Sequence, residues 1–298
     1  MIPLVFAALI IAACAPSPQP PPPPPPPSLA VSVQARGLHP GELVVLTVTA
    51  DAPLSAVRAS AFGRPLNPWA ASDAGTVWRV LVGIDLDVAP GPYAVTIEAD
   101  SANGPATTGH EIVVTPKAFA TRRLRVNPDF VNPPEREQAR IRAEAQELER
   151  LWAAPATAPV SVDLVFEPPV PHRANSAFGT RSVFNGEPRG AHGGADFLSP
   201  AGTPVTAPAH GTVVLARDLY YTGGTVVLDH GLGVFSIFAH LSKTSVVPGD
   251  AVARGTTVGL VGATGRVTGA HLHWTLRVGG TRVDPLAALE LFGEGAQP

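Results

Sequence analysis

The sequence predicts a mainly β protein: an N-terminal Ig-like β-sandwich, a short helical connector and a C-terminal antiparallel-β domain. Three observations carry this expectation. Short alternating apolar stretches recur between turn signals, the pattern of half-buried strands. Only one stretch has the three-to-four-residue apolar spacing of an amphipathic helix. Gly and Pro, 29 and 34 of the 298 residues, punctuate the remainder. A chain of this length holds two domains of roughly 100–200 residues. The formal net charge of -3, with 15% charged residues, argues against a nucleic-acid partner held by counterion release.

Taken in order, residues 1–14 read as an export signal. The apolar run over residues 3–13 is shorter than the about 20 residues that span a bilayer, and it ends in small residues, as a cleaved signal does. Ile11-Ala12-Ala13-Cys14 resembles a bacterial lipoprotein box, which implies that Cys14 is lipidated and becomes the mature N-terminus. No Lys or Arg precedes the run, and Ile11 stands where Leu is usual; the alternative is an ordinary cleaved signal with an incidental cysteine. A lone cysteine also excludes an internal disulfide framework and a Cys-rich zinc site. Residues 15–28 form a Pro-rich linker, a semi-rigid spacer extending about 3.1 Å per residue.

Residues 29–116 carry the expected sandwich, with strands around 30–33, 43–49, 77–82, 93–99 and 111–114. His39 and His110 lie near its turns as isolated polar residues. Residues 117–159 form the connector, with a helix over 133–153. Asn132 is positioned to cap it, Pro133 suits its first position, and Glu135 completes a capping box. Ile141, Ala145, Leu148, Leu151 and Trp152 make its apolar face, expected to lie against one of the β-domains. Arg140, Glu144, Glu147 and Arg150 make a solvated face. Residues 160–292 form the second β-domain, dense in Gly.

Histidine placement is the strongest chemical signal, because seven of nine lie after residue 170. His192-Gly193-Gly194-Ala195-Asp196 brings an imidazole and a carboxylate together through a turn. His271-Leu272-His273 in a strand projects two imidazoles to one face. His240 ends a third alternating stretch. With no cysteine available, these read together as a His/Asp zinc site, since zinc takes imidazole and carboxylate ligands.

These stretches resemble the lysostaphin-type, LytM-like zinc metallopeptidases that hydrolyse peptidoglycan cross-links. The resemblance runs from about Asn175 to Pro285 through Ser176-Ala177-Phe178-Gly179-Thr180-Arg181, the His192 to Asp196 motif, Phe238-Ala239-His240-Leu241-Ser242, Val261-Gly262-Ala263-Thr264-Gly265-Arg266, His271-Leu272-His273 and Val283-Asp284-Pro285. Phe238 departs from the Tyr common in the family. The resemblance implies that His192, Asp196 and His273 ligate one zinc ion, which activates water, and that His240 and His271 are catalytic. One of this pair would move protons between water and leaving amine while the other hydrogen-bonds the oxyanion. His271, beside a ligand on the same strand face, is favoured for the proton. Arg181 is expected at the groove edge, where it would bind a substrate carboxylate.

His172, His210 and His230 are read as structural or surface residues and Asp284 as a turn carboxylate. The Gly-rich stretches lack a phosphate-loop pattern, so no nucleotide is expected. The expected function is a zinc metalloendopeptidase acting on peptidoglycan stem peptides. It would be exported to the cell envelope and held at a membrane through Cys14, the outer membrane if the bacterium has two. The alternatives are a non-catalytic activator of wall amidases, a class that typically lacks one or more of these His and Asp residues, a plain wall-binding module, and a latent enzyme whose groove is covered.

Overall fold

The computed structural model describes residues 24–158, 164–176 and 178–293. Cys14, the apolar run and most of the Pro-rich linker lie outside the described residues. Eight strands open the chain: β1 (Leu29–Ala35), β2 (Leu43–Ala50), β3 (Leu54–Ala61), β4 (Arg64–Leu66), β5 (Trp69–Ala70), β6 (Val77–Gly83), β7 (Gly91–Ser101) and β8 (Ala106–Val114). They form two four-stranded sheets, ordered β1-β2-β6-β5 and β4-β3-β7-β8. All pairs within them are antiparallel. Val44, Leu46, Val48, Val80 and Val82 of the first sheet meet Val57, Ile97 and Ile112 of the second in one core. Strand β3 is an addition to the expected set; its buried residues include only Ala59, Ala61 and Val57 after Leu54, too little apolar contrast to stand out in sequence.

The first sheet is covered twice. Leu43 and Val45, which alternate with the inward Val44 and Leu46, join Trp69 and Leu81 in the core of the C-terminal domain. Fixed side-chain alternation therefore sends one strand's residues into two cores. Polar contacts close this junction. Arg36 Nη2 donates to Glu42 Oε1 at 2.7 Å and to Asp284 Oδ2 at 2.6 Å, and Asp284 N–H donates to the Gly41 carbonyl at 2.7 Å. Gly41 has φ +92, and a Cβ there would come within 2.6 Å of the Phe178 ring, so glycine is required on two grounds.

The connector supplies β9 (Thr121–Leu124) and the helix α1 (Glu135–Ala153). Helix α1 starts at Glu135 with Pro134 as N-cap and no side-chain capping bond, so Asn132 does not cap it. The reason is local: a residue followed by proline is driven out of the α region, which keeps Pro133 extended. Leu148, Leu151 and Trp152 pack on Leu215, Leu219, Val227, Phe235 and Ile237. Trp152 meets Phe235 edge to face at 5.2 Å. Glu144 is not solvated as expected; it is buried and accepts from Arg140 Nε at 2.7 Å and from Tyr220 N–H at 2.8 Å.

The C-terminal strands are β10 (Ala174–Ser176), β11 (Arg181–Phe184), β12 (Glu187–Ala191), β13 (Ala195–Phe197), β14 (Pro204–Thr206), β15 (Gly211–Leu219), β16 (Gly223–Asp229), β17 (Val234–Thr244), β18 (Ala251–Val252), β19 (Thr257–Val261), β20 (Leu272–Val278) and β21 (Thr281–Val283). Ten of them form one sheet with the path β10-β13-β20-β17-β16-β15-β18. Phe197, Phe238, Leu272, Trp274 and Leu276 are among its buried core. Strands β12, β11 and β9 make a separate three-stranded sheet in which β9 runs parallel to β11. Helix α2 (Pro285–Phe292) follows β21; Asp284 Oδ1 accepts from Leu286 N–H at 3.1 Å and Pro285 holds the first position.

Candidate metal centre and its groove

Strand pairing assembles the centre. Asp196 on β13 sits directly opposite His273 on β20, so a carboxylate and an imidazole face each other across one ladder. His192, just beyond β12, returns through Gly193-Gly194 to the same point. Glycine is required at 194 because a Cβ there would lie 2.3 Å from the Trp274 carbonyl oxygen and 2.9 Å from the His273 ring. His192 Nε2 is 2.9 Å from Asp196 Oδ1, His273 Nδ1 is 2.8 Å from that same oxygen, and the two ring nitrogens are 3.0 Å apart.

A hydroxyl orients one of these rings. Thr275 Oγ1 lies 2.9 Å from His273 Nε2, on the far edge of the ring from the Nδ1 that faces Asp196, and so fixes the ring's direction. Burial alone would raise the Asp196 carboxyl, but the His192 and His273 hydrogen bonds outweigh it and hold the group well below the usual carboxylate range. Arg122 of β9 places Nη1 3.6 Å from Asp196 Oδ2 and donates from Nε to Ser182 Oγ at 3.2 Å. Two imidazole nitrogens and a carboxylate oxygen converging on one point fit zinc, whose catalytic sites hold three protein ligands of these types.

His240 and His271 face the same centre. Strand β17 pairs with β20 as far as Ala239 opposite His273, then turns to pair with β19 from Leu241. His240 stands at the switch with φ +66, a left-handed conformation costly for a residue other than Gly. Its Nδ1–H donates to the Thr264 carbonyl at 2.9 Å, and His271 Nδ1–H donates to the Gly269 carbonyl at 2.9 Å. A carbonyl only accepts, so each neutral ring carries its lone pair on Nε2. His271 Nε2 is 3.8 Å from Asp196 Oδ1, and the His240 and His271 ring centres are 4.8 Å apart. Burial pushes His240 down to about 3, with nearby His273 and His271 adding to the effect. A groove of about 290 Å³ lies over these five residues, walled by Arg122, Leu124, Phe184, Tyr221 and Arg266.

The comparisons agree with this geometry. A sequence model described as Peptidase family M23 matches residues 190–285, a stretch that contains all five residues. A Pseudomonas aeruginosa crystal structure described as a peptidase M23 is 32% identical, covers 88% of this chain and 97% of its own, and superposes with a TM-score of 0.66. The chain belongs to peptidase family M23.

Two curated relatives of this M23 chain share its C-terminal stretch. The peptidoglycan DD-endopeptidase ShyA of Vibrio cholerae is 46% identical over 97 residues, 33% of this chain. The DD-carboxypeptidase/endopeptidase Mpg of Neisseria meningitidis is 39% identical over 121 residues, 41% of this chain. The matched stretches span 23% and 28% of those proteins' own lengths.

Of the residues singled out in sequence, the structure brings His192, Asp196, His240, His271 and His273 together. Arg181 is not with them: it is exposed on β11 and absent from the groove lining, while Ser182 and Phe184 on the alternate face point inward. The guanidinium groups at the groove belong to Arg122 and Arg266. Thr275 was legible as the i+2 neighbour of His273 on the same strand face. Arg122 had no local signal, because only the parallel pairing of β9 with β11 brings it to the site.

His230 is fully buried as part of the scaffold behind the ligand strand. Its Nδ1–H donates to the His210 carbonyl at 2.7 Å, and Ser236 Oγ, 2.9 Å from Nε2, accepts from Trp274 Nε1–H at 3.1 Å.

Proposed function

We propose that this M23 chain is a zinc-dependent endopeptidase that cuts peptide cross-links of bacterial peptidoglycan in the cell envelope. The observation that carries the reading is the five-residue constellation: the convergent His192, Asp196 and His273, with His240 and His271 presenting bare Nε2 atoms to one groove. The relatives named as peptidoglycan DD-endopeptidases match the stretch that contains it. The presence of all five side chains favours hydrolysis over the amidase-activator alternative.

His192, Asp196 and His273 would hold zinc, which supplies Lewis acidity toward water and the scissile carbonyl. With Nδ1–H committed to backbone carbonyls, each of these two rings in its neutral form is an acceptor toward the groove. They therefore suit holding the attacking water rather than donating to an oxyanion, the role first expected of one of them. His240, buried and neutral, orients that water. His271, the more exposed of the two, takes its proton on Nε2 and returns it to the leaving amine. Lipidation at Cys14, with the Pro-rich linker as spacer, would tether the enzyme to a membrane facing the wall.

The test is mass spectrometry of muropeptides after purified peptidoglycan is incubated with the mature protein and zinc, beside a His192→Ala control. New fragments from the wild type alone are expected, and their masses name the bond cut. A zinc-loaded wild type that releases no more fragments than the control would overturn the proposal.

A further inference from the structure

A second cavity, of about 430 Å³, opens behind the metal centre. His192 and His273 line one end and Leu148 and Trp152 of α1 another, and Arg122, Phe184, Thr222 and Arg266 line both it and the catalytic groove. Its charged lining is one-sided: Arg122, Arg189, Arg266, Arg277 and Arg282, with no Asp or Glu among its lining residues.

Arg122 has Asp196 at 3.6 Å, but Arg266 and Arg282 are poorly compensated. Among the described residues, neither Arg266 nor Arg282 has a carboxylate within 4.0 Å. The Arg266 guanidinium is held between two rings, 4.8 Å from the centre of Tyr221 and 5.2 Å from that of Phe184. Arg277 lies 4.7 Å from the Trp152 ring centre and donates to the Gly280 carbonyl at 2.7 Å. Arg189 donates from Nη2 to the Val131 carbonyl at 2.9 Å, and its nearest carboxylate, Glu187 Oε2, is 3.8 Å away. Its Nε is buried with no hydrogen-bond partner. Burial, helped by the like charges of Arg189 and Arg282 respectively, holds Arg266 and Arg277 below the usual arginine value. The counter-charges near the cluster are Asp196 beside Arg122, Glu187 beside Arg189, and Asp85 and Glu149 acting on Arg277; the desolvated Arg266 and Arg282 are costly unless an anion completes the site.

We propose that this arginine-lined cavity is the subsite for a free carboxylate of the peptide being cut, and that it selects substrates in which that carboxylate is not amidated. This rests on the peptidoglycan reading above and names the substrate feature the same site recognises. Guanidinium pairs with a planar carboxylate through two parallel hydrogen bonds, a geometry an amide cannot match. The cavity shares its wall with the groove, so the anion it fits is attached to a chain lying across the metal centre. Tyr221 and Phe184 fix the Arg266 plane in advance, which lowers the ordering cost of binding.

The test uses zinc-loaded His271→Ala protein, so that ligands survive, and calorimetric binding of soluble cross-linked muropeptides with their carboxylates free or amidated. Amidation should weaken binding about tenfold. Adding Arg266→Gln and Arg282→Gln should erase that difference while zinc content and Tm stay unchanged, and Arg266→Lys should restore part of it. Equal affinity for both ligands would overturn the inference and leave the peptidoglycan reading standing. So would inorganic phosphate binding as tightly as the free-carboxylate ligand, the mark of a site for a loose anion. Binding of neither muropeptide would remove the peptidoglycan reading and this inference with it.

Discussion

Thr275 shows how one hydroxyl governs a metal ligand. It holds His273 Nε2 at 2.9 Å, setting the ring's direction. Groups in this position typically change metal affinity roughly 10–100-fold when removed. Thr275→Val, nearly isosteric, should lose zinc to a competing chelator by that factor with little change in Tm. His230 makes a different prediction. Burial pushes it from 6.5 down to about 4, so the folded state holds it neutral while the unfolded chain takes a proton more readily. Its share of stability is full above pH 6.5 and is lost as pH falls through 4, a change of about 3 kcal/mol. The stability gap between wild type and His230→Asn should therefore narrow by that amount between pH 7.5 and 4 in denaturant titrations. A gap independent of pH would contradict the argument. The five site residues were legible because His192 to Asp196 and His271 to His273 are short motifs whose geometry is set locally. Arg181 was misplaced because its face on β11 depends on register, and a shift of one residue reverses the face.

At the scale of elements, β13 and β20 must approach closely for Asp196 to face His273, and Gly194 permits it. Gly194→Ala would drive a methyl into the Trp274 carbonyl 2.3 Å away, forcing the ladder apart. We expect a loss of about 3 kcal/mol in stability and of stoichiometric zinc, measured by denaturant titration and metal analysis after dialysis. The strands themselves were largely readable from alternation, and α1 from its spacing. What sequence missed were features decided by contact: β3, whose buried side chains are small, the late start of α1 after Pro133-Pro134, and the burial of Glu144 against Tyr220. In hindsight, the unbroken apolar run Leu43-Val44-Val45-Leu46 signals a strand covered on both faces, since one-sided strands alternate.

Across the whole molecule, the sandwich and the C-terminal domain share a core through Leu43, Val45, Trp69 and Leu81, and an ionic clamp through Arg36. Among the described residues, removing Arg36 would leave fully buried Glu42 with His39 at 3.4 Å and Lys117 at 3.7 Å as its remaining cationic partners, and would take from the Asp284 carboxylate its ion pair across the two domains. Arg36→Ala should cost about 3 kcal/mol. Because the loss falls on the shared junction, calorimetry should show one unfolding transition for the wild type and two for the variant. Survival of one transition would mean that apolar contact alone couples the halves.

The parallel pairing of β9 with β11 bears on anyone who wishes to move this chemistry elsewhere. The stretch over residues 190–285 contains every proposed zinc ligand, yet Arg122 and Leu124 reach the groove from outside it. A graft of that stretch alone would transplant the ligands without one wall of their cleft. A chimera meant to keep this chain's selectivity has to begin upstream of Thr121 and carry α1 along as cargo.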